Sequence, residues 1–202
     1  VELENLYMVG DKTAPREHLF PTLVSGRPNP EAARLEDLTR KIGGRGPVKG
    51  RPRRALYTPS RVEVVDRLNE EGLLPSIFFI FSRNGCNEAA QSCLKQGLRL
   101  TSPDERKRIK EIIDSRLDDI DDDDLDVLGY PQFVAQLEAG IAAHHAGLVP
   151  PFKETVEACF VEGLVKIVFA TETLAVGINM PARSVVIEKL SKFTGEHHEF
   201  LT

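Results

Sequence analysis

Three short polar segments each follow an apolar run in the sequence, and their residue types suit contact with a phosphate-bearing ligand. The segments are residues 81–84, 144–147 and 171–181. Hydroxyl groups at strand ends and free backbone amides at helix starts bind phosphate oxygens well. A glycine within such a segment, here Gly177, lets the backbone approach a ligand closely. These segments therefore predict phosphate contacts.

The elements that must position these segments can be predicted from apolar runs and helix signals. The predicted strands are residues 76–81, 141–145, 165–170 and 184–187, and the predicted helices are 62–71, 84–96, 103–120 and 150–162, with short helices within 122–139. The continuously apolar runs are typical of strands buried on both faces of a parallel sheet. The alternation predicts an open parallel α/β sheet, in which ligands bind beyond the carboxyl ends of the strands.

The first 59 residues differ in composition from the rest. Residues 2–9 alternate loosely between apolar and polar and predict a strand. Residues 40–54 carry seven basic side chains and no acidic one, with several glycines and prolines, and such a stretch cannot bury enough surface to fold alone. We expect residues 1–59 to form a strand and a mobile basic segment, and residues 60–202 to form the α/β domain. The basic segment is either a solvated linker or an auxiliary nucleic-acid contact that weakens with salt.

The net charge of −5 argues against a general coat for nucleic acid. Residues 1–101 hold 16 basic and 12 acidic side chains, whereas residues 102–202 hold 10 and 19. Eight aspartates lie between Asp114 and Asp126. A calcium-binding EF-hand loop needs Gly at its sixth position and Glu at its twelfth, but counting from Asp119 these are Asp124 and Tyr130. The run predicts a solvated acidic surface facing away from phosphate.

The cysteine spacing and the hydropathy limit the classes of protein to which the chain can belong. Three cysteines without a CxxC pair argue against a disulfide framework or a zinc knuckle. Cys86 and Cys93 are seven residues apart on a predicted helix, so we expect them to be small core residues in a reducing cytoplasm. No apolar run approaches the roughly 20 residues of a membrane span.

Three stretches of the sequence resemble conserved motifs of one enzyme family. Residues 170–182, Ala-Thr-Glu-Thr-Leu-Ala-Val-Gly-Ile-Asn-Met-Pro-Ala, resemble motif V of the superfamily-two DExH-box RNA helicases of the superkiller type. Residues 143–148 resemble the segment that precedes motif V in this family, and residues 77–83 resemble motif IV. The resemblance covers about residues 60–202 and is strongest to the actinobacterial helicases called HelY. It implies a RecA-like domain, the second of the two in the motor.

The resemblance implies nucleic-acid contacts for five residues. Ser82 and Arg83 would touch the backbone of the tracking strand, and His145 and Gly147 would shape the wall that faces it. Thr171 would bind a phosphate through its hydroxyl, although taken alone it could be a turn or cap residue. His144 and His145 could instead be structural residues. They could also be zinc ligands, although the sequence offers no third ligand nearby.

The resemblance also implies what lies outside this chain. Gly177 and Asn179 would sit near the interdomain cleft and couple the nucleotide state to strand binding. The sequence lacks the GxxxxGK[ST] motif, which holds the phosphates. It also lacks the Asp-Glu-x-His motif, which holds the magnesium ion and the attacking water. The arginine-bearing motif VI would follow soon after Thr202. We therefore expect no catalytic residue here, an isolated chain without ATPase activity, and ATP and magnesium bound mainly by a missing first RecA-like domain.

The sequence thus predicts an α/β RecA-like domain, incomplete at its carboxyl end, from an ATP-dependent helicase that tracks on single-stranded RNA. One alternative is a non-catalytic module that binds nucleic acid or protein. A second alternative is a motor that moves along DNA. Contacts to a backbone carry no base information, and no residue that reads the 2′-hydroxyl can be identified.

Overall fold

The structure is a computed structural model. It describes residues 3–12, 17–32, 34–35, 56–118, 120–171, 174, 180–189, 191–193 and 198–200. The chain divides into two compact units, residues 1–67 and 68–202. The domain boundary expected near residue 60 stays a prediction.

The first unit contains a three-stranded antiparallel sheet. The strands of this unit are β1 (Leu6–Asp11), β2 (His18–Pro21), β3 (Leu23–Val24), β4 (Arg27–Pro28) and β5 (Leu56–Tyr57), and the sheet contains β1, β2 and β5. β1 lies between β2 and β5, and β3 pairs with β4 as a separate hairpin. The ring of Tyr57 occupies the space beside Gly10 in which a side chain would otherwise lie. The predicted strand at 2–9 is thus found at 6–11, whereas the basic segment 40–54 lies outside the described residues.

The second unit alternates strands and helices, and helix α1 (Arg61–Glu70) includes residue 67, at which the first unit ends. Its later elements are β6 (Ser76–Phe79), α2 (Arg83–Lys95), α3 (Pro103–Leu117), α4 (Asp122–Val127), α5 (Tyr130–Glu138), β7 (Ile141–His144), α6 (Pro150–Val161), β8 (Ile167–Ala170), β9 (Ser184–Ile187), β10 (Ser191–Phe193) and β11 (His198–Phe200). This order confirms the predicted α/β alternation. Among the described residues, no helix is both long and apolar enough to cross a membrane.

The central sheet has four parallel strands in the order β7-β8-β6-β9. Its register aligns the last residues of these strands in one row: His144, Ala170, Phe79 and Ile187. β6 ends two residues earlier than predicted because the Ser82 amide donates a hydrogen bond to the Ile80 carbonyl oxygen at 2.8 Å and turns the chain. The residues directly after these strands therefore lie along one edge of the sheet.

The core lies between this sheet and the helices that pack on it. One cluster joins alternate sheet residues to α3, α5 and α6; its members include Ile77, Ala142, Val168, Ile109, Ile113, Leu137, Phe152, Val156 and Phe160. Cys86, Cys93 and Cys159 are fully buried, which confirms the two core cysteines predicted on α2. Fully burying one large aliphatic side chain contributes about 1.5–3 kcal/mol, so this cluster is the main stabilising feature of the second unit.

Helix α3 begins with a capping box that a lysine links to the sheet. The Ser102 hydroxyl accepts a hydrogen bond from the Glu105 amide, and the Glu105 carboxylate accepts one from the Ser102 amide. Lys166, the residue before β8, donates to the Glu105 carboxylate and to the Gly163 carbonyl. Burial alone would raise the pKa of Glu105, but the hydrogen bonds from Lys166 and Ser102 hold that pKa below its ordinary value.

We expect Lys166→Met to lower the free energy of unfolding by about 1 kcal/mol at pH 7, because a charge-assisted hydrogen bond of a part-buried pair is lost. The pKa of Glu105 is lower in the folded than in the unfolded chain, so this stabilisation is present above the unfolded value and lost as pH falls through the folded one. Urea unfolding of both proteins between pH 7 and pH 3 should show curves that converge at acidic pH. A constant difference across this range would contradict the assignment.

Candidate nucleic-acid interface

Helix α2 starts directly after the turn that follows β6. Ser82 is its N-cap, and the Ser82 hydroxyl oxygen accepts a hydrogen bond from the Gly85 amide at 3.2 Å. This leaves the hydroxyl hydrogen able to donate to a ligand. Arg83, the first helical residue, is exposed, as is Ser82. The first turn of α2 contains no acidic residue, so nothing in it opposes the positive end of the helix dipole or the guanidinium.

His145 and Gly147 form a tight turn after β7, next to Arg83. His145 is 4% exposed, and its Nδ1 accepts a hydrogen bond from the Gly147 amide at 3.1 Å. A methyl group added to Gly147 would lie 3.2 Å from that Nδ1 and 3.6 Å from the Cδ atom of Arg83. The exposed Gly147 backbone and the Arg83 side chain are therefore neighbours.

The other ring nitrogen of His145 is held by helix α2. Its Nε2 lies 3.0 Å from Oδ1 of Asn87. Since Nδ1 accepts from Gly147, the proton of the neutral ring is on Nε2 and is donated to Asn87. Burial, together with the charges of Arg83 and His144, lowers the pKa of His145 below its ordinary value. The neutral form is thus favoured, and it is the only form that can accept from Gly147.

His144 faces a different helix. It is 3% exposed, and its Nε2 lies 2.8 Å from Oε1 of Glu157 on α6. This contact fits the structural interpretation of His144, because the ring ties the end of β7 to α6. Among the described residues, no group of three or more His, Cys, Asp or Glu side chains could hold a metal ion.

Thr171 lies at the next strand end, beside His144. It follows β8, and its amide donates a 3.4 Å hydrogen bond to the His144 carbonyl oxygen. Its carbonyl oxygen accepts from the Leu174 amide at 3.1 Å, and the residue is 7% exposed. The structure thus brings the exposed residues Ser82, Arg83 and Gly147 together around the buried ring of His145, and places Thr171 in a buried position at the same edge of the sheet. Gly177 and Asn179 lie outside the described residues.

Comparison with known proteins gives the family. "Probable helicase HelY" of Mycobacterium tuberculosis (strain ATCC 25618 / H37Rv) is 54% identical over 173 residues, which is 85% of this chain and 18% of that protein. "Exosome RNA helicase MTR4" of Homo sapiens is 36% identical over 78% of this chain and 15% of that protein. "DExH-box ATP-dependent RNA helicase DExH10" of Arabidopsis thaliana is 36% identical over 69% of this chain and 14% of that protein.

The chain belongs to the superfamily-two DExH-box helicases. It spans less than a fifth of the length of these DExH-box relatives. No family model matches the sequence. The family resemblance found in residues 60–202 is confirmed by these relatives, whereas the roles of the individual site residues stay predictions.

Asn87 and Glu157, the hydrogen-bond partners of the two histidines, were not predicted from the sequence. Asn87 holds His145 from 58 residues away, and Glu157 holds His144 from 13 residues away. One signal was available for Asn87, because it follows Arg83 by four residues and so shares its helix face. Glu157 gave no such signal, since its partner is on a separate strand.

We expect the His145 ring to be neutral at pH 7, with its proton on Nε2 and a pKa below that of an ordinary histidine. Because the unfolded chain binds this proton more readily, stability falls as pH drops from about 7 toward 5. Two-dimensional ¹⁵N NMR identifies the tautomer and follows its titration. The matched variant His145→Gln keeps a donor and an acceptor but does not titrate, so its stability should fall less over the same range. Equal pH profiles for the two proteins would contradict the assignment.

Proposed function

We propose that the chain is the strand-gripping second RecA-like domain of an ATP-dependent RNA helicase. In this proposal residues 77–83 act as motif IV and residues 170–182 as motif V. The observation that carries it is the surface that Ser82, Arg83 and Gly147 share at the carboxyl edge of a parallel sheet, with the buried ring of His145 holding Gly147 in place. The DExH-box relatives support the same placement.

The surface suits a phosphate backbone in three ways. The Arg83 guanidinium supplies an exposed positive charge, and the Ser82 hydroxyl supplies a donor beside it. The α2 N-terminus adds the positive end of a 13-residue helix dipole. The Gly147 backbone, without a side chain, leaves room for a strand to pass close to the wall. Contacts of this kind fix a strand without reading its bases.

The nucleotide chemistry belongs to the rest of the motor. In this proposal ATP and magnesium are bound mainly by a first RecA-like domain, and an arginine-bearing motif VI beyond Thr202 completes the present one. Thr171 binds a strand phosphate, and Gly177 and Asn179 sense the nucleotide from the cleft. Binding of ATP closes the two domains in the reducing cytoplasm, and hydrolysis releases them. The isolated chain then grips a strand but does not hydrolyse ATP.

The names of the relatives favour RNA as the strand along which the motor moves. The MTR4 and DExH10 proteins, each 36% identical, are named RNA helicases, whereas the 54% identical HelY proteins are named only as helicases. The proposed contacts go to the backbone, which RNA and DNA share apart from the 2′-hydroxyl. The choice of RNA over DNA therefore depends on experiment.

We expect Arg83→Ala to weaken binding of the chain to a fluorescein-labelled 12-nucleotide oligouridine by about 3- to 10-fold in fluorescence anisotropy. The slope of log affinity against log salt should fall in magnitude by about 0.7, the value of one phosphate contact on a single strand. The control is Arg99→Ala, which removes an exposed arginine beyond the other end of α2. An unchanged affinity and slope for Arg83→Ala would count against motif IV contact.

A second experiment tests the motor itself, in a polypeptide that joins this chain to a first RecA-like domain and motif VI. Thr171→Ala should leave basal ATP hydrolysis in place and reduce its stimulation by single-stranded RNA about 10-fold or more, because a phosphate contact that couples strand and nucleotide is lost. Thr171→Ser, which keeps the hydroxyl, should retain most of the stimulation. If single-stranded DNA but not RNA stimulates ATP hydrolysis by the unaltered protein, the motor moves along DNA rather than RNA. Hydrolysis absent under every condition would favour a non-catalytic binding module.

A further inference from the structure

The orientation of the Asn87 side chain is fixed by its histidine partner. The Gly147 amide donates to Nδ1 of His145, so Nε2 carries the proton and needs an acceptor. The atom of Asn87 that faces Nε2 at 3.0 Å is therefore the carbonyl oxygen Oδ1. The amide nitrogen Nδ2, with its two hydrogens, then points away from the ring. A flip of the amide would set two donors against each other.

The amide nitrogen of Asn87 is available for another partner. Asn87 is exposed, and no hydrogen bond among the described residues uses its Nδ2. The neighbouring asparagine on α2 differs, because Asn84 donates its own Nδ2 to Glu88 at 2.7 Å. Asn87 thus presents two oriented donors to solvent, while Asn84 has one of its donors bound within the helix.

These donors lie on the same face as the proposed strand contact. Asn87 follows Arg83 by four residues on α2, which places the two side chains one turn apart on one side of the helix. The ring that holds Asn87 also accepts from Gly147, whose backbone is next to the Arg83 side chain. Arg83, Asn87 and Gly147 therefore border one exposed surface.

We propose that Asn87 is a strand-binding residue whose amide nitrogen donates to an acceptor oxygen of the sugar–phosphate backbone, one step along the strand from the oxygen held by Arg83. The proposal depends on the function proposed above and adds a contact to that surface. The accepting atom is either a phosphate oxygen or a 2′-hydroxyl oxygen, since both accept from an amide. His145 acts on the strand through Asn87 and Gly147, as the residue that positions both.

The test compares three forms of the 202-residue chain, unaltered, Asn87→Ala and Asn87→Asp, in anisotropy titrations with labelled 12-nucleotide oligouridine and its 2′-deoxy counterpart. Asn87→Asp keeps the acceptor for His145 but removes both donors. We expect both variants to bind oligouridine about 3- to 10-fold more weakly. A loss confined to oligouridine assigns the 2′-hydroxyl, and an equal loss on both strands assigns a phosphate; either supports the contact.

Controls separate the contact from folding effects. Gln96→Ala removes an exposed carboxamide at the opposite end of α2 and should bind as the unaltered chain does. The ¹⁵N shifts of His145 in Asn87→Asp show whether its tautomer is kept. Should Asn87→Ala not fold, the neutral and nearly isosteric variant Asn87→Leu takes its place, because a loss of affinity in Asn87→Asp alone could come from the added charge.

Three results would overturn the proposal. Unchanged affinity of both variants, with the unaltered chain binding normally, removes the Asn87 contact and leaves the proposed function in place. Unaltered affinity of Asn87→Asp alone would mean that Asn87 acts only by holding His145, because the added charge can only weaken binding to a phosphate backbone. Failure of the unaltered chain to bind either strand would overturn the contact together with the proposed function.

Discussion

The parallel register of β7, β8 and β6 is the constraint on which the rest of the second unit depends. Because their last residues are aligned and neighbouring strands lie about 4.8 Å apart, the segments that follow all three strands start within about 10 Å of one another. The ladder continues one residue further, where the Ile80 amide donates to the Ala170 carbonyl at 2.8 Å. A slip of β7 by one residue would exchange the faces of His144 and His145, and neither ring would meet its partner.

Two adjacent histidines, one at the end of β7 and one directly after it, link the sheet to two helices. His144 shares a face of β7 with Ala142, which packs in the cluster that includes α6, and it meets Glu157 there. His145 is the next residue and meets Asn87 of α2 instead. One dipeptide, at the end of β7, thus contacts two helices: α6 through His144 and α2 through His145. The turn that carries Gly147 is therefore positioned by both helices.

The sequence was sufficient for the parts of the fold that depend on local pattern. Continuous apolar runs gave the central strands, and the helix predicted at 103–120 is found at Pro103–Leu117. Strands β2 and β5 were missed because each is short and pairs with β1 across a segment whose pattern favours no structure. The partners of the two histidines were missed for a related reason. Hydrogen bonds across 58 and 13 residues follow from the packed sheet and leave no periodic signal.

The charge distribution restricts how such a surface can hold a strand. The chain carries a net charge of −5, and six aspartates of the acidic run are exposed: Asp114, Asp118, Asp121, Asp123, Asp124 and Asp126. If the chain binds a strand as proposed, its net charge gives little long-range attraction to a phosphate backbone, and positioned donors such as Arg83 supply the affinity at this surface. Under the proposed function this is an advantage. A domain that grips and releases a strand in every ATP cycle needs contacts that a small movement can break, and a few oriented hydrogen bonds meet that need better than a broad basic patch.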